Sequence, residues 1–263
     1  MPFFSVIIPS YNRASILPRA IQSVLNQSFS DWELLIVDDG SSDNTFETIK
    51  HHTIDNRIHY YKQENKGVCA ARNYGAEKAS GKYLLFLDSD DYVTTDWLQD
   101  FYIEVQKSDA EVVCCNAKTN STEVVDYEAF LAGNFTVKKD LFLKIGKYDV
   151  NIKFGENTEL KWRLEAEIPS MVYITKTNFF YDNEANSNSN QKKENQIAFT
   201  YYVLEKHSSL FQNKKKWTQL LYQIAGVNCI KLGRIKEGKQ LLWKGYCSKP
   251  LNLKAFLRVI KYI

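Results

Sequence analysis

The sequence predicts an α/β protein with a mostly parallel central sheet flanked by helices, followed by a helical extension. Two observations predict this: short β-rich runs alternate with amphipathic stretches as far as residue 115, and helical spacing without strands returns after an Asn-rich polar segment. Strands are expected at 4–8, 32–37, 57–61, 83–87 and 111–115. Between the first two, Leu17, Ala20, Ile21, Val24 and Leu25 recur at helical spacing, with Pro18 in a first turn where its missing N–H costs nothing. A second helix is expected after Asp43 or Asn44, both good N-caps, and a third from Cys69 to Ala79, stopping near Gly81. Helical spacing is read again from Tyr127 to Gly146, and Phe154 to Leu164 reads as a loop entering a helix.

Residues 182–196 are polar and Asn-rich, which marks a surface loop and places a domain boundary there. One domain is therefore expected over 1–185, its halves 1–110 and 111–185, and a basic helical region over 195–263. Within that region helices are expected near 197–211, 217–232 and 235–246, the last two a hairpin broken at Gly233, with a final run over 253–260.

The overall charge of +3 hides an asymmetry. From Lys214 onward twelve basic residues face Glu237 alone, a balance of +11 that leaves −8 on residues 1–213. Such a split calls for an anionic partner, membrane or nucleic acid. No nucleic-acid recognition motif is present. Instead Leu251, Leu253, Phe256, Leu257 and Ile260 interleave with Lys254, Arg258 and Lys261, so the expected partner is an anionic membrane face contacted through residues 214–263. No signal-peptide pattern appears, and no stretch approaches the ~20 apolar residues of a membrane span. Five cysteines without C-x-x-C spacing fit neither a disulfide framework nor a zinc knuckle. The expected location is the cytoplasm, with the basic region at the inner face of the membrane.

In an open parallel sheet ligands bind beyond the carboxyl ends of the strands. The residues there are Pro9-Ser10-Tyr11-Asn12 after the first strand, Asp38-Asp39-Gly40-Ser41-Ser42-Asp43 after the second and Asp88-Ser89-Asp90-Asp91 after the fourth. In an extended segment Asp88 and Asp90 point the same way, toward one pocket. Paired carboxylates suit a hard cation such as Mn²⁺ or Mg²⁺ bridging substrate phosphates, and a surface acidic loop is the plain alternative.

These motifs resemble glycosyltransferase family 2, the inverting transferases with a GT-A (nucleotide-diphospho-sugar transferase) fold. The resemblance rests on Ser5-Val6-Ile7-Ile8-Pro9-Ser10-Tyr11-Asn12, Val37-Asp38-Asp39-Gly40-Ser41, Gly67 with Ala71-Arg72-Asn73, and Leu87-Asp88-Ser89-Asp90-Asp91. A fainter element, Gly146-Lys147-Tyr148-Asp149 leading to Gly155-Glu156-Asn157-Thr158-Glu159-Leu160, extends it to about residue 165. It implies that residues 1–110 bind a nucleotide sugar and 111–185 an acceptor. Pro9, Tyr11 and Asp39 would hold the base, Asp39 accepting from a uracil-like imide, which favours a UDP-sugar. Arg72, Asp88 and Ser89 would lie along the donor, and Asp90 would bind the metal. The implied activity is metal-dependent, inverting transfer to a glycan or lipid-linked acceptor in cell-surface polysaccharide synthesis.

Two positions depart from the family pattern. Asn157 stands where the family has its aspartate base, and an amide takes no proton at neutral pH. Glu156 or Glu159 is then the expected base. After Tyr181 the run Asp182-Asn183-Glu184-Ala185-Asn186 lacks the family's basic contact to the diphosphate. A nucleotidyltransferase is disfavoured because Pro9-Ser10-Tyr11 replaces the glycine-rich loop it needs. A non-catalytic sugar-nucleotide binder stays open because of Asn157.

Overall fold

The computed structural model describes residues 1–119, 124–125, 130–181, 189–250 and 252–262. The chain divides into two units, Met1–Asn151 with Glu156–Asn183, and Ile152–Gly155 with Glu184–Ile263.

The first unit is built on strands β1 (Phe4–Ser10), β2 (Trp32–Asp38), β3 (Ile58–Lys62), β4 (Tyr83–Phe86), β5 (Tyr92–Val93), β6 (Val112–Thr119), β7 (Val124–Val125), β8 (Phe135–Lys138) and β9 (Val172–Tyr181). Their order is β3-β2-β1-β4-β8-β6-β9-β5, with β7 on β6. The first four strands are parallel neighbours, in the register Ser10↔Asp38 and Ile7↔Phe86. β8 runs antiparallel between β4 and β6, and β9 is parallel to β6. The sheet is thus mixed: the fifth expected strand exists as β6, but it does not extend the parallel series.

The alternation of side chains along buried strands splits the core into two layers. Phe4, Val6, Ile8, Leu34, Ile36 and Leu85 face α1 (Leu17–Leu25) and α4 (Trp97–Ser108), which supply Leu17, Ala20, Ile21, Val24, Trp97, Leu98 and Phe101. Ile7, Leu35, Val37, Leu84 and Phe86 face α3 (Val68–Lys78), α5 (Lys139–Lys144) and α6 (Glu156–Glu167), which supply Cys69, Ala71, Leu141, Phe142, Leu160 and Leu164. Each fully buried Val, Leu, Ile or Phe among them contributes about 1.5–3 kcal/mol of transfer free energy. The rigid sheet that results fixes the strand ends where the loops begin.

Expected helical spacing at 127–146 is corrected. Residues 126–129 lie outside the described set, Phe135–Lys138 forms β8, and only Lys139–Lys144 is helical. The ten-residue strand β9 has no counterpart among the expected strands. The helix expected after Asp43 is α2 (Thr45–Ile49) with a 3-10 turn to Ile54, and it is Asp43, not Asn44, whose carboxylate receives the Thr45 N–H at 3.0 Å.

The second unit contains α7 (Asn190–Lys206), α8 (Ser208–Asn213), α9 (Lys215–Lys231), α10 (Ile235–Ser248) and α11 (Leu253–Tyr262). The polar segment read over 182–196 is therefore helical from Asn190, capped by Ser189, whose hydroxyl accepts from Lys192 N at 3.1 Å. Residues 182–188, which include the whole departure after Tyr181, lie outside the described residues. Gly233, at φ +84°, makes the expected turn between α9 and α10. These two helices approach closely because Gly226 and Gly238 carry no side chain: a Cβ on Gly226 would stand 2.9 Å from the Gly238 carbonyl oxygen. Among the described residues no helix is long and apolar enough to cross a membrane.

Candidate active site

The loops after β1 and β2 brace one another. Asn12 adopts φ +53°, a conformation its short amide tolerates. Its backbone N–H donates to Ser41 Oγ at 2.9 Å, and its Oδ1 accepts from Ser42 N at 2.9 Å. Asp38, at the end of β2, accepts from Ser41 N at 2.7 Å and from the Tyr60 hydroxyl at 2.5 Å. Burial and this adjacent carboxylate push the Tyr60 phenol well above its ordinary range, so it stays a donor.

Asp39 is 4% exposed and accepts three hydrogen bonds, from Gln63 Nε2 (2.7 Å), Lys66 N (2.9 Å) and Gly67 N (2.7 Å). A carboxylate has about four acceptor positions, so one more donor is within its capacity. The bonds to Lys66 and Gly67 fix the chain where it enters α3, and α3 carries Arg72.

Arg72 is 1% exposed and forks between two carboxylates, Nη2 to Asp88 Oδ1 at 2.5 Å and Nη1 to Glu156 Oε1 at 3.0 Å. Burial alone disfavours the cation, but the charges of Asp88 and Glu156 outweigh it and raise its pKa well above the usual value. Among the described residues its Nε finds no hydrogen-bond partner. The guanidinium lies 5.2 Å from the centre of the Tyr148 ring. Tyr148 is itself held by a reciprocal pair with Asn73, whose Nδ2 donates to the Tyr148 carbonyl at 2.8 Å and whose Oδ1 accepts the Tyr148 N–H at 2.9 Å.

Pro9, Tyr11, Asp39, Arg72, Asp88, Ser89, Asp90 and Glu156 line one cleft of about 310 Å³, with Ser10, Arg13, Val68 and Ala71 completing it. Most of the expected site residues, drawn from five separate stretches of chain, thus meet in one place. Two do not line it. Asn157 Oδ1 accepts from the Tyr148 hydroxyl at 2.8 Å. Glu159 is fully buried and spends both oxygens on Arg163, at 2.9 Å from Nε and 2.6 Å from Nη2. Arg163 in turn donates to the Ile145 and Lys147 carbonyls, so Glu159 is a structural ion pair and leaves Glu156 as the carboxylate of this segment that reaches the cleft.

Sequence reasoning gave no role to Arg13, Tyr148 or Tyr181, although Tyr148 stands in the Gly146-Lys147-Tyr148-Asp149 element. Arg13 lies 4.0 Å from Asp90. Burial, and then the charges of Asp91, Asp88, Asp90 and Glu156, raise the Tyr181 phenol above its ordinary range. No local pattern assigns these three to the site; aromatics in such positions are as common in cores.

The cleft sets four carboxylates, Asp39, Asp88, Asp90 and Glu156, against the guanidiniums of Arg13 and Arg72. An anionic diphosphate entering alone meets net repulsion. Asp88 and Asp90, with side chains 30% and 34% exposed, present oxygen donors at its mouth. Among the described residues no group of three or more His, Cys, Asp or Glu forms a closed metal cage. This donor set fits Mg²⁺ or Mn²⁺ held by one or two protein carboxylates with the remaining ligands from phosphate and water.

A parallel β-sheet with its acidic loops at one edge, continued by antiparallel strands, defines a GT-A-type transferase fold. The chain belongs to the family described as Glycosyl transferase family 2, whose sequence profile matches residues 5–162. It is 37% identical over 147 residues to an uncharacterized glycosyltransferase of Haemophilus influenzae, covering 51% of this chain and 59% of that protein. It is 46% identical over 100 residues to the putative teichuronic acid biosynthesis glycosyltransferase TuaG of Bacillus subtilis, covering 37% and 40%. The chain therefore matches only part of the length of these curated relatives. In structure it resembles S. aureus TarS 1–349 in complex with UDP-GlcNAc, with TM-score 0.74 and 17% identity over 100% of this chain and 89% of that one.

Proposed function

We propose that this chain transfers a sugar from a UDP-sugar to a hydroxyl of a glycan or lipid-linked acceptor in cell-surface polysaccharide synthesis. Transfer inverts the anomeric carbon and depends on Mn²⁺ or Mg²⁺. The observation that carries the reading is the single acidic cleft joining the β1, β2 and β4 loop ends to Arg72 and Glu156. The similarity to TuaG and to the UDP-GlcNAc complex of TarS supports the polymer class and the donor class respectively.

In this reading Pro9, Tyr11 and Asp39 receive the base, Asp39 through its remaining acceptor position. Asp90, with Asp88, would hold a divalent cation, which would supply positive charge to offset a diphosphate leaving group. Arg72 holds Asp88 and Glu156 in place through its two Nη atoms. Glu156 accepts the proton of the attacking hydroxyl, because Asn157 lacks the chemistry and Glu159 is sequestered by Arg163. In this reading the chain acts in the cytoplasm.

The test is a thermal-shift panel of nucleoside diphosphates and their sugars, with and without Mn²⁺. A ligand of the native state stabilises it by mass action, about 2.7 kcal/mol at a hundredfold excess over Kd. A shift for UDP compounds that needs Mn²⁺ is expected; equal shifts for all bases, or none, would remove the donor assignment. Asn157 and the Arg72–Glu156 pair favour one second reading, a sugar-nucleotide binder without turnover. It would show the same UDP shift but release no UDP with any acceptor.

A further inference from the structure

The helical unit carries a surface that the cleft chemistry does not use. Helix α11 buries Ala255 and Val259, one turn apart, and so has one inward face. Leu253, Phe256, Leu257 and Ile260 follow at the i, i+3, i+4, i+7 spacing of a second stripe, and all four are exposed, Leu253 at 67% and Leu257 at 54%. Lys254, Arg258 and Lys261, at i, i+4, i+7, form a third stripe, also exposed. Leu251, which extends the apolar pattern in sequence, lies outside the described residues.

The apolar stripe continues onto α10. The Phe256 ring is 5.5 Å from that of Tyr246, which is 5.7 Å from that of Trp243, itself 52% exposed. Two amide contacts hold α11 in this attitude. Asn252 Nδ2 donates to Gln219 Oε1 at 2.6 Å, and Arg258 Nη1 donates to Gln223 Oε1 at 2.7 Å. The result is a surface of tryptophan, tyrosine, phenylalanine and aliphatic side chains on α10 and α11, with the exposed Lys244 and Lys254 adjacent in sequence to Trp243 and Leu253.

We infer that this α10–α11 face docks on the surface of an anionic lipid bilayer, α11 lying in the plane of the interface. Charge complementarity selects this occupant. Beyond residue 213 the chain holds twelve basic residues and one acid, and that acid, Glu237, is engaged by the Tyr201 hydroxyl at 3.0 Å and by Arg234. An acidic soluble protein or a nucleic acid would satisfy the charges but leave Leu253, Leu257 and Ile260 in water. A bilayer surface takes both, since interfacial helices bury an apolar face while lysines reach the headgroups. Trp and Tyr suit that boundary because one edge of the ring is apolar and the other polar.

The test uses the full chain and sedimentation with vesicles of phosphatidylcholine alone or mixed with phosphatidylglycerol. Binding to the mixed vesicles only, weakening as salt rises from about 0.05 M to about 0.5 M, is expected. The double substitution Leu253→Gln/Leu257→Gln changes no charge and replaces two side chains more than half exposed. It should lower vesicle affinity at least ~10-fold with an unaltered melting temperature. If that variant unfolds, bromolipid quenching keeps the question open to measurement: quenching of the intact chain's fluorescence should fall in Trp243→Phe. Vesicle binding unaffected by the double substitution, or quenching unaffected by Trp243→Phe, overturns the inference. So does capture by RNA or heparin without capture by vesicles.

Discussion

Arg72 and Glu156 meet at 3.0 Å across 84 residues of sequence, and the other arm of the same guanidinium holds Asp88. One side chain on α3 thereby joins the loop beyond β4 to the first turn of α6. Removing it would leave two carboxylates facing one another at the floor of the cleft. Arg72→Met should cost about 3–5 kcal/mol, the usual scale for deleting one partner of a buried ion pair. Arg72→Lys should recover only part of this, since an ammonium cannot fork to two acceptors in one plane. Urea unfolding checks the first effect. Calorimetric titration of UDP with Mn²⁺ checks the accompanying loss of affinity.

Gly40→Ala tests the loop that presents Asp39. Gly40 sits at φ +84°, and a Cβ there would stand 2.9 Å from Asn65 N. Left-handed strain and a backbone clash act together, so a loss of about 1–3 kcal/mol is expected. The urea midpoint should fall while the m-value holds. Because Asp39 accepts from Lys66 and Gly67, donor affinity should fall as well.

The legible part of this molecule was the part in which local pattern and tertiary role agree. β1 and β2 are buried on both faces, so their continuous apolar runs end sharply at polar loops, and the site residues follow directly. β8 was illegible because four residues, Phe135–Lys138, are too few to show alternation and run straight into α5, whose apolar Leu141 and Phe142 extend a helical spacing backward. The helical start of α7 was hidden by composition: Asn-rich sequence reads as loop, and only Ser189 signalled a cap. The split between Glu156 and Glu159 could not be read at all. Both lie in the first turn of α6, and only the packing of Arg163 against the carbonyls of Ile145 and Lys147 decides which carboxylate is taken.

Asp90→Asn separates the cation from the rest of the donor site. Asparagine keeps the size of the side chain but not its charge, and a hard cation binds a neutral amide less well than a carboxylate. The variant should fold normally, since the Asp90 side chain is 34% exposed. Calorimetry should show UDP affinity no longer enhanced by Mn²⁺, with the residual metal-free affinity unchanged. Full Mn²⁺ enhancement in the variant would move the cation site elsewhere.

Glu156→Gln and Glu159→Gln should fail in opposite ways. Glutamine at 156 can still accept from Arg72 Nη1 through its amide oxygen, so the cleft and the donor affinity should survive. It cannot take a proton, and turnover should drop at least ~10²-fold, the scale of a lost general base. Glutamine at 159 sits in a fully buried position, where Arg163 would face an uncharged partner. Breaking such a pair costs about 3–5 kcal/mol when one charge is left uncompensated. The folded fraction of that variant should nevertheless turn over close to the parent rate, because Glu159 does not line the cleft. Donor titration, single-turnover transfer and urea unfolding on both variants distinguish the roles. A Glu156→Gln protein with parent turnover would place the base on another residue. Donor binding by the unaltered chain with no transfer to any acceptor would instead favour the binder without turnover.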